Sequence, residues 1–404
     1  MFWDKPLDNA LSRLKQNVRA PVKLVLWDGR EVAFDKNPRV TVRLKDSRIA
    51  STLVRPSLLT LAEAYIDGEV EIEGDVGDAI RGAEAISRAI PKPLFQSKGL
   101  TNERHSRRDD REAIQHHYDV SNEFYQLWLD PRMVYSCAYF REETDSLEQA
   151  QVQKLDHICR KLRLQPGEKL LDIGCGWGAL VMHAAKHYGA VATGITLSEN
   201  QHRLAQERIR EAGLQDRCKV LLKDYRDMPG EGVFDKVASV GMFEHVGLRN
   251  LPVYFSVVRR LLKEKGLFLN HGITSSDVEN RAVGLGAGEF IGRYVFPKGE
   301  LPHLHREIRD MSEQDFEVHD VESLRPHYER TLGFWSSAFE QHFEEAVQAS
   351  SERTARIWRI YLAGCAYAFE QGWISIYQVL ATRRTKPGRT ALPLTRDWMY
   401  KPAS

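Results

Sequence analysis

The sequence predicts an α/β protein in which helices cover a parallel sheet and a small α+β unit precedes that sheet. Between residues 150 and 272, short apolar runs alternate with helical stretches, which is the pattern of strands joined by crossover helices. The first ninety residues contain segments with the two-residue period of half-buried strands. A chain of 404 residues is too long for one hydrophobic core, so we expect more than one unit.

The N-terminal unit, residues 1–90, is predicted to combine a small sheet with a helix. Polar and apolar residues alternate in VKLVLW (22–27) and in RVTVRL (39–44), as they do in strands with one buried face. A helical stretch at 58–68 ends at a glycine, and VEIEGDV (70–76) follows as a further strand. We therefore predict a separate α+β domain here.

Residues 90–111 mark a change in composition, with two prolines and six Lys/Arg against three Asp/Glu. We interpret 91–111 as a mobile basic linker between the N-terminal domain and a catalytic domain at 112–404. A solvated surface segment explains these charges more simply than a patch that binds lipid phosphates.

The central region is predicted to form the parallel sheet. The helical stretches between its strands include ALVMHAAKHYG and ENQHRLAQERIREAG. Residues 275–404 are predicted to be mainly helical and rich in aromatic side chains, with an irregular loop at 290–302. The expected strands are KLLDIG (169–174), AVATGI (190–195), KVLL (219–222), FDKVASV (234–240) and GLFLNHG (266–272).

Charge and cysteine content exclude several classes of protein. The 57 Lys+Arg nearly cancel the 56 Asp+Glu, so no global charge excess points to nucleic acid. The sequence shows no export signal and no uncharged apolar run of about 20 residues, so we expect a soluble, cytoplasmic protein. The five cysteines have neither a C-x-x-C pair nor zinc-like spacing, so we expect reduced thiols and no metal site.

A glycine-rich turn, LLDIGCGWGAL (170–180), follows a strand and opens a helix. Gly174, Gly176 and Gly178 let the backbone turn sharply and approach a ligand. Asp172 stands at the strand end, where a carboxylate can hold the ammonium of an amino-acid moiety but would repel a pyrophosphate. The spacing D-x-G-x-G-x-G resembles the first motif of class I S-adenosylmethionine methyltransferases.

That resemblance implies further cofactor contacts. Many such proteins carry an acid at the end of the second strand, where the ribose lies, but GITLSENQ has none there. We expect Thr196, Leu197 and Gln201 to supply these contacts instead. Tyr225 and Arg226, after the third strand, are expected near the adenine.

Four further stretches occur in order along the chain: HHYDVSNEFYQLWLDPRMVYSCAYF (116–140), FEHVG (243–247), NHGITS (270–275) and HYERTL (327–332). Together with LDIGCGWG they closely resemble the cyclopropane-fatty-acyl-phospholipid synthase family, which includes the mycolic-acid cyclopropane synthases. The resemblance implies a Rossmann-like class I methyltransferase sheet with helical acyl-binding insertions. More loosely, AYIDGEVEIEGD (64–75) looks like the N-terminal domain of the longer, phospholipid-acting members.

The resemblance implies that a methylene group from S-adenosylmethionine is added across a cis double bond of a phospholipid acyl chain. An alkene is a poor nucleophile, so the donor must be held close to it, and the resulting carbocation requires a dry site. Aromatic faces could stabilise that cation, although ordinary core packing explains each ring equally well. The candidate rings are Tyr135, Tyr139, Phe140, Tyr294 and Phe296.

The family resemblance also implies the residues of the site. The base that removes the last proton is expected to be a bound bicarbonate, held by Cys137, Glu244, His271, the backbone amide of Ile273 and Tyr328. Because the ion and Glu244 would repel each other, we expect them to share a proton or His271 to balance the charge. Cofactor contacts are also expected from Tyr135, Ser136 and Val240, and His117, Tyr118 and Asp119 are expected to frame the pocket.

Cys137 is expected to offer its backbone N–H to the anion, with or without its thiol, and not to act as a covalent nucleophile. The bland alternative, a small buried apolar residue, is favoured for Cys159, Cys218 and Cys365. Cys175 is expected only to fill the glycine turn.

The expected partner is the acyl chain of a membrane phospholipid, reached by peripheral association with the inner membrane face. The first fourteen residues could touch that surface, but a packed terminal helix is the simpler interpretation. Family resemblance also suggests a homodimer. Three rival functions remain open: a sister enzyme that methylates the alkene without closing a ring, a non-catalytic lipid-binding protein, and a small-molecule methyltransferase.

Overall fold

The chain folds around two sheets, a small one near its N-terminus and a large one in the remainder. The basic linker predicted at 91–111 and the stretch His117-Tyr118-Asp119 lie outside the residues that the structure describes. The computed structural model describes residues 4–54, 56–89, 120–279, 286–297, 299–385, 388, 390 and 392–400.

Within its described residues, 4–54 and 56–89, the N-terminal unit contains a four-stranded sheet and four α-helices. Its strands are β1 (Val22–Val25), β2 (Glu31–Ala33), β3 (Val40–Leu44) and β4 (Val70–Glu73). Its helices are α1 (Asp4–Asn17), α2 (Ala50–Val54), α3 (Leu58–Ile66) and α4 (Val76–Ala89). The strand order is β2-β1-β3-β4, with β1 and β3 parallel and the other neighbours antiparallel. The three predicted strands and the predicted helix are confirmed.

Local sequence explains the ends and the packing of these helices. Ser57 begins α3 by accepting a hydrogen bond from the Thr60 N–H at 3.1 Å, and the Thr60 hydroxyl accepts one from the Ser57 N–H at 3.0 Å. In α1, Leu7, Leu11 and Leu14 recur at helical spacing and are all buried in the core of the unit. The packed-helix interpretation is therefore confirmed for these three leucines.

The large sheet has seven strands and contains all five of the predicted ones. They are β5 (Lys169–Ile173), β6 (Val191–Thr196), β7 (Cys218–Leu222), β8 (Phe234–Val240), β9 (Leu262–Ser275), β10 (Phe316–Ser323) and β11 (Ile374–Arg383). The order is β10-β11-β9-β8-β5-β6-β7. The first five along the chain are parallel, whereas β11 runs antiparallel to both β9 and β10. The last two strands lie in the region predicted to be mainly helical.

Eleven helices accompany the large sheet within the described residues. They are α5 (Asn122–Gln126), α6 (Leu147–Lys161), α7 (Ala179–Tyr188), α8 (Glu199–Glu211), α9 (Leu251–Leu261), α10 (Ala287–Tyr294), α11 (Leu304–Glu313), α12 (Arg325–Gln341), α13 (Phe343–Ala349), α14 (Glu352–Glu370) and α15 (Asp397–Tyr400). The prediction of an irregular loop at 290–302 is wrong for its first residues, which belong to α10. In that helix Phe290 is buried and Arg293 is exposed. Among these described helices, none is long and apolar enough to cross a bilayer.

An aromatic layer formed by α5, α12 and α14 packs beside the loops at the carboxyl ends of the strands. Trp128 and Trp335 meet edge to face with ring centroids 5.6 Å apart, and Phe124 meets Trp358 at 5.5 Å. Cys137 belongs to the same cluster. The predicted helical insertions therefore exist and border the predicted site.

Arg356 on α14 joins the two units. Its guanidinium, 7% exposed, donates to the Tyr65 carbonyl at 2.9 Å and pairs with Glu71 at 2.7 Å. Arg359, one turn further on, donates to the Tyr65 hydroxyl at 2.9 Å. Because these bonds are at least partly shielded from water, they hold the N-terminal unit firmly against α14.

Candidate functional site

The glycine-rich turn lies at the carboxyl end of β5. Gly174 and Gly176 adopt positive φ angles of 80° and 53°, which residues with a side chain disfavour. A Cβ at Gly174 would lie 2.7 Å from Met242, so a larger residue would displace the loop. The turn therefore keeps its backbone open to a ligand at this edge of the sheet.

Asp172 stands beside that turn with an unsatisfied oxygen. It is 2% exposed, and among the described residues its Oδ1 has no hydrogen-bond partner. Burial raises the pKa of this carboxyl to about 7. A buried carboxylate without a partner is costly, and an ammonium group would satisfy it. The α-ammonium of S-adenosylmethionine is such a group, so the residues present fit the predicted cofactor.

The other predicted cofactor residues, with one exception, line the same pocket. Thr196 Oγ1 donates to Gln201 Oε1 at 2.7 Å, which fixes two polar groups at the strand end where many class I methyltransferases carry an acid. The Arg226 guanidinium lies 5.3 Å from the Tyr225 ring centroid and pairs with Asp224 at 2.7 Å. The predicted residues that line the pocket are Tyr135, Ser136, Asp172, Gly174, Gly176, Thr196, Leu197, Gln201, Tyr225, Arg226 and Val240.

The exception is Gly178, which caps the start of α7 and does not line the pocket. Its φ is +85°, and a Cβ there would lie 3.3 Å from Ala205 on α8. Its physical role is therefore the close packing of α7 against its neighbours. Cys175 packs against Gly194, where a Cβ would lie 2.6 Å from the Cys175 sulfur. Cys175 therefore fills the turn, as expected.

Lys154 is a residue of this pocket that the sequence analysis missed. It is 2% exposed on α6, its Nζ donates to Ser136 Oγ at 2.8 Å, and it forms no ion pair with any residue that the structure describes. Burial lowers its pKa to about 8. The sequence signal that could have identified Lys154 is its position on the helix, because it interrupts the buried apolar stripe of α6 next to Leu155 and Ile158. A buried ammonium that forms no ion pair with the described residues would be stabilised by an anionic ligand.

The five residues predicted to act in catalysis meet at one largely apolar cavity of about 750 Å³. They are Cys137, Glu244, His271, Ile273 and Tyr328. Tyr135, Ser136 and Gly241 line both this cavity and the cofactor pocket. The two spaces therefore adjoin, and a group carried by the cofactor would face the cavity.

Glu244 lies in a 3₁₀ turn, Phe243–His245, that packs closely on β9. A Cβ at Gly272 would overlap the Phe243 ring, so a glycine is needed for this approach. Glu244 Oε1 accepts a hydrogen bond from the Ile273 N–H at 2.6 Å, while Oε2 is buried without a partner among the described residues. Burial raises the pKa of Glu244 to about 7. The group can therefore hold or release a proton near neutral pH.

His271 is fully buried on β9 and is neutral. Its Nδ1 lies 3.1 Å from Gln378 Nε2 on β11; because the amide donates, the ring proton belongs on Nε2. No residue in the described ranges bonds to that Nε2. Burial holds the pKa of His271 well below its usual range, which favours proton sharing between Glu244 and the anion over the alternative in which His271 balances the charge. What it offers is a neutral N–H donor.

Cys137 is a buried thiol whose sulfur faces backbone carbonyls. Its Sγ donates to the Ala138 oxygen at 3.2 Å and lies 3.8 Å from the Leu324 oxygen. Burial raises the pKa of the thiol far above its usual value, so no thiolate forms near neutral pH. This supports the expectation that Cys137 is not a nucleophile.

Two further expectations differ from the geometry. The Ile273 N–H, predicted to bind an anion, is already donated to Glu244. Of the five candidate rings, Tyr135 and Phe296 line the cavity. Tyr139 instead stacks between His157 and His327, Phe140 stacks on Phe334, and the Tyr294 hydroxyl donates to Glu63. These three are not cavity rings, because local stacking or hydrogen bonding holds them elsewhere.

Two family models match the chain. The model described as mycolic acid cyclopropane synthetase matches residues 105–379, and one described as a domain of unknown function matches residues 11–89. The first covers most of the chain that forms the large sheet, and the second covers most of the N-terminal unit.

Individual proteins are similar over longer stretches. A Pseudomonas putida protein named "Probable fatty acid methyltransferase" is 50% identical over 96% of this chain and 98% of its own length. The cyclopropane-fatty-acyl-phospholipid synthase of Escherichia coli (strain K12) is 35% identical over 88% of this chain and 91% of its own. The crystal structure of mycolic acid cyclopropane synthase CmaA1 complexed with SAH and CTAB is 36% identical with a TM-score of 0.64, covering 67% of this chain and 98% of that one.

Proposed function

Because the chain belongs to the mycolic acid cyclopropane synthetase family of S-adenosylmethionine-dependent, lipid-modifying enzymes, we propose that it converts a cis double bond in a phospholipid acyl chain into a cyclopropane ring. This proposal rests on one observation: the cofactor pocket and the acyl cavity adjoin each other. A pocket that fits S-adenosylmethionine opens beside a largely apolar cavity lined by Glu244, His271 and Tyr328. An acyl chain is the kind of substrate that such walls favour.

The residues of the cavity suit the chemistry of ring formation. S-adenosylmethionine, when bound, supplies the carbon that becomes the ring methylene and leaves as S-adenosylhomocysteine. Water would capture the cation left on the acyl chain, and the apolar walls exclude water. The faces of Tyr135 and Phe296 can stabilise that cation without reacting with it.

Glu244 and His271, which line the same cavity, are the residues that would hold a bicarbonate ion. The buried His271 Nε2–H is a donor without a partner among the residues that the structure describes, and Glu244, once protonated, becomes a second donor through Oε2. With Tyr328 nearby, these groups would hold the ion, whose chemistry is to accept the proton lost at ring closure. Bicarbonate and Glu244 can share one proton, which removes the repulsion between two buried negative charges.

Mass spectrometry of fatty acids from cells with and without the expressed protein tests the reaction. We expect unsaturated chains to gain the mass of one CH₂ unit and to resist catalytic hydrogenation under conditions that saturate alkenes. An unchanged fatty-acid profile with a folded protein would contradict the proposal.

The thiol of Cys137 gives a prediction of its own. We expect Cys137→Ser to keep about a third or more of wild-type turnover, because a hydroxyl can replace the thiol as a donor to the same carbonyls. Initial rates with unsaturated phospholipid vesicles measure this. Complete loss in a variant with unchanged thermal stability would indicate covalent chemistry at this residue.

A second candidate is methyl transfer without ring closure. The specific observation that favours it is the 50% identical relative named as a fatty acid methyltransferase. The same cation would then lose a different proton, giving a methyl-alkene that hydrogenation saturates. Both products gain the mass of one CH₂ unit, so the mass spectrum recorded after hydrogenation decides between the two: the methyl-alkene gains two hydrogens and the ring does not.

The head-group end of the substrate would remain at a bilayer, so we propose that the enzyme acts at the cytoplasmic membrane face. Binding should then strengthen with the anionic lipid fraction and weaken several-fold between about 50 and 300 mM salt, since charge attraction to lipids is screened. Vesicle co-sedimentation measures this. Equal binding to neutral and anionic vesicles at both salt concentrations would contradict charge-driven docking.

A further inference from the structure

The acyl cavity does not end at the large sheet but continues into the N-terminal unit. Residues of β1, β3 and β4 and one face of α4 line it together with the predicted catalytic residues. On α4 the lining residues are Ala79, Ile80, Ala83 and Ile86, which recur at helical spacing and so form one face. The small unit therefore contributes a wall to the substrate space of the large one.

The part of the cavity inside the N-terminal unit is apolar and shielded from solvent. Val22 and Leu24 on β1 and Leu44 on β3 are 1%, 3% and 2% exposed, although all three line the cavity. Protein cores leave few spaces larger than a water molecule, and an unfilled apolar space costs stability. The lining residues of this part of the cavity are thus suited to contact an apolar ligand.

The part of the cavity that α10 lines differs in character. The charged residues Glu289 and Arg293 line it there, and Arg293 forms an exposed ion pair with Glu63. An ester and a phosphate head group need water or polar partners, which the inner end does not offer. A phospholipid chain would therefore enter with its methyl end first and leave its head group on the α10 side.

The inner end is also held at a fixed place relative to the predicted catalytic residues. Arg356 and Arg359 bind the Tyr65 carbonyl and hydroxyl, and Tyr65 itself lines the cavity. Ile80 on α4 packs against Ala363 and Tyr367 on α14. Since these contacts leave α4 little freedom, the distance from Glu244 to the inner end is a property of the fold.

We propose that the N-terminal unit is a measuring pocket for the methyl end of the acyl chain. This inference rests on the proposed acyl substrate and adds what selects it: the number of carbons beyond the double bond. A chain is modified when its methyl end enters the apolar part of the cavity that residues of β1, β3 and α4 line, while its double bond lies beside the cofactor pocket. The number of carbons between the ester and the double bond does not affect this selection, because that side of the cavity opens toward the head group.

Ala79→Leu and Ala83→Leu test this by shortening the pocket. Vesicles carrying palmitoleoyl, cis-vaccenoyl or oleoyl chains are the probes. The first two have the same short segment beyond the double bond, and the oleoyl segment is two methylenes longer. We expect either variant to lose oleoyl turnover relative to cis-vaccenoyl by about tenfold, the effect of excluding two methylenes from an apolar site. Cis-vaccenoyl and palmitoleoyl should stay within about twofold of each other.

Ala85→Leu is the matched control. Ala85 lies on the same helix, is partly buried and does not line the cavity, so its variant should keep the wild-type ratio of the three products. Thermal stability should be unchanged or higher in the Ala79 and Ala83 variants, because the added methyl groups fill a space.

Each other outcome overturns this inference. Discrimination against cis-vaccenoyl instead of oleoyl would mean that the ester side occupies the N-terminal unit. Equal loss on all three chains in a folded variant, or no change in their ratio, would mean that the unit does not measure chain length. Failure of the wild-type protein to modify any chain would instead contradict the proposed function, so the two failures are distinguishable.

Discussion

Replacing Glu244 with glutamine is expected to lower turnover about a thousandfold, within the ~10²–10⁴ range for groups that hold or transfer a proton. Glutamine keeps the shape of the side chain and an oxygen for the Ile273 N–H, but it cannot take up or release a proton. Affinity for S-adenosylhomocysteine should stay within about twofold, because Glu244 lines the acyl cavity and not the cofactor pocket. Single-turnover rates and calorimetry measure the two quantities.

Glu307→Gln is the control for this change. Glu307 is also buried, burial raises its pKa to about 8, and its Oε1 accepts from Asn270 Nδ2 at 2.8 Å. It lines neither the acyl cavity nor the cofactor pocket, so we expect turnover within about threefold of wild type. Near-normal turnover in Glu244→Gln, or an equal loss of turnover in both variants, would show that Glu244 takes no specific part in the reaction.

The pKa shifts explain why the acyl cavity can be dry. Burial keeps His271 uncharged and lets Glu244 stay protonated up to about pH 7, so neither group adds a strongly hydrated charge to the walls. An anion held between them would place its negative charge near the cation that forms on the acyl chain. Attraction between the two is strong where water is excluded, which favours the reaction only after the donor methyl has moved.

Short local patterns in the sequence were sufficient to predict the parallel strands, and the resemblance of short motifs to a family was sufficient to predict residues that meet at one cavity. The alternation of apolar runs predicted β5 to β9, and four separated motifs, through the family they resemble, predicted Cys137, Glu244, His271, Ile273 and Tyr328, which the fold brings to one cavity. The place of a residue within its motif predicts that it belongs to the site, even when the other residues of the site are far away along the chain.

Features that depend on tertiary packing could not be predicted in this way. The apolar run in β11 fits a buried helix as well as a strand, and only its pairing with β9 decides. The bond from the Ile273 N–H to Glu244 depends on how closely a turn packs against β9 at Gly272. The continuation of the cavity into the N-terminal unit depends on the docking of α4 against α14, which no local pattern encodes.

Lys154→Met is expected to weaken the binding of S-adenosylhomocysteine about 100-fold, because losing one partner of a buried charge pair costs roughly 3 kcal/mol. In the free protein, Lys154 Nζ has the Ser136 hydroxyl as a partner but no ion pair with any described residue. Because Asp172 would bind the ammonium group of the ligand, the positive charge of Lys154 is suited to bind the carboxylate of the ligand. Methionine has a similar length and no charge, and calorimetry with S-adenosylhomocysteine measures the loss.

Two controls separate this electrostatic role from general damage to the pocket. Affinity for 5′-methylthioadenosine, which lacks both charged groups, should be the same in Lys154→Met and wild type. In wild type, affinity for S-adenosylhomocysteine should fall below about pH 7, where Asp172 takes up a proton, and above about pH 8, where Lys154 loses one. Lys154→Met should lose the limb that begins near pH 8 and keep an acid limb moved to higher pH, because the charge of Lys154 lowers the pKa of Asp172. Asp172→Asn should lose the acid limb and keep the other limb moved to lower pH, because the charge of Asp172 raises the pKa of Lys154. A variant that binds both ligands equally weakly would show that Lys154 only supports the fold.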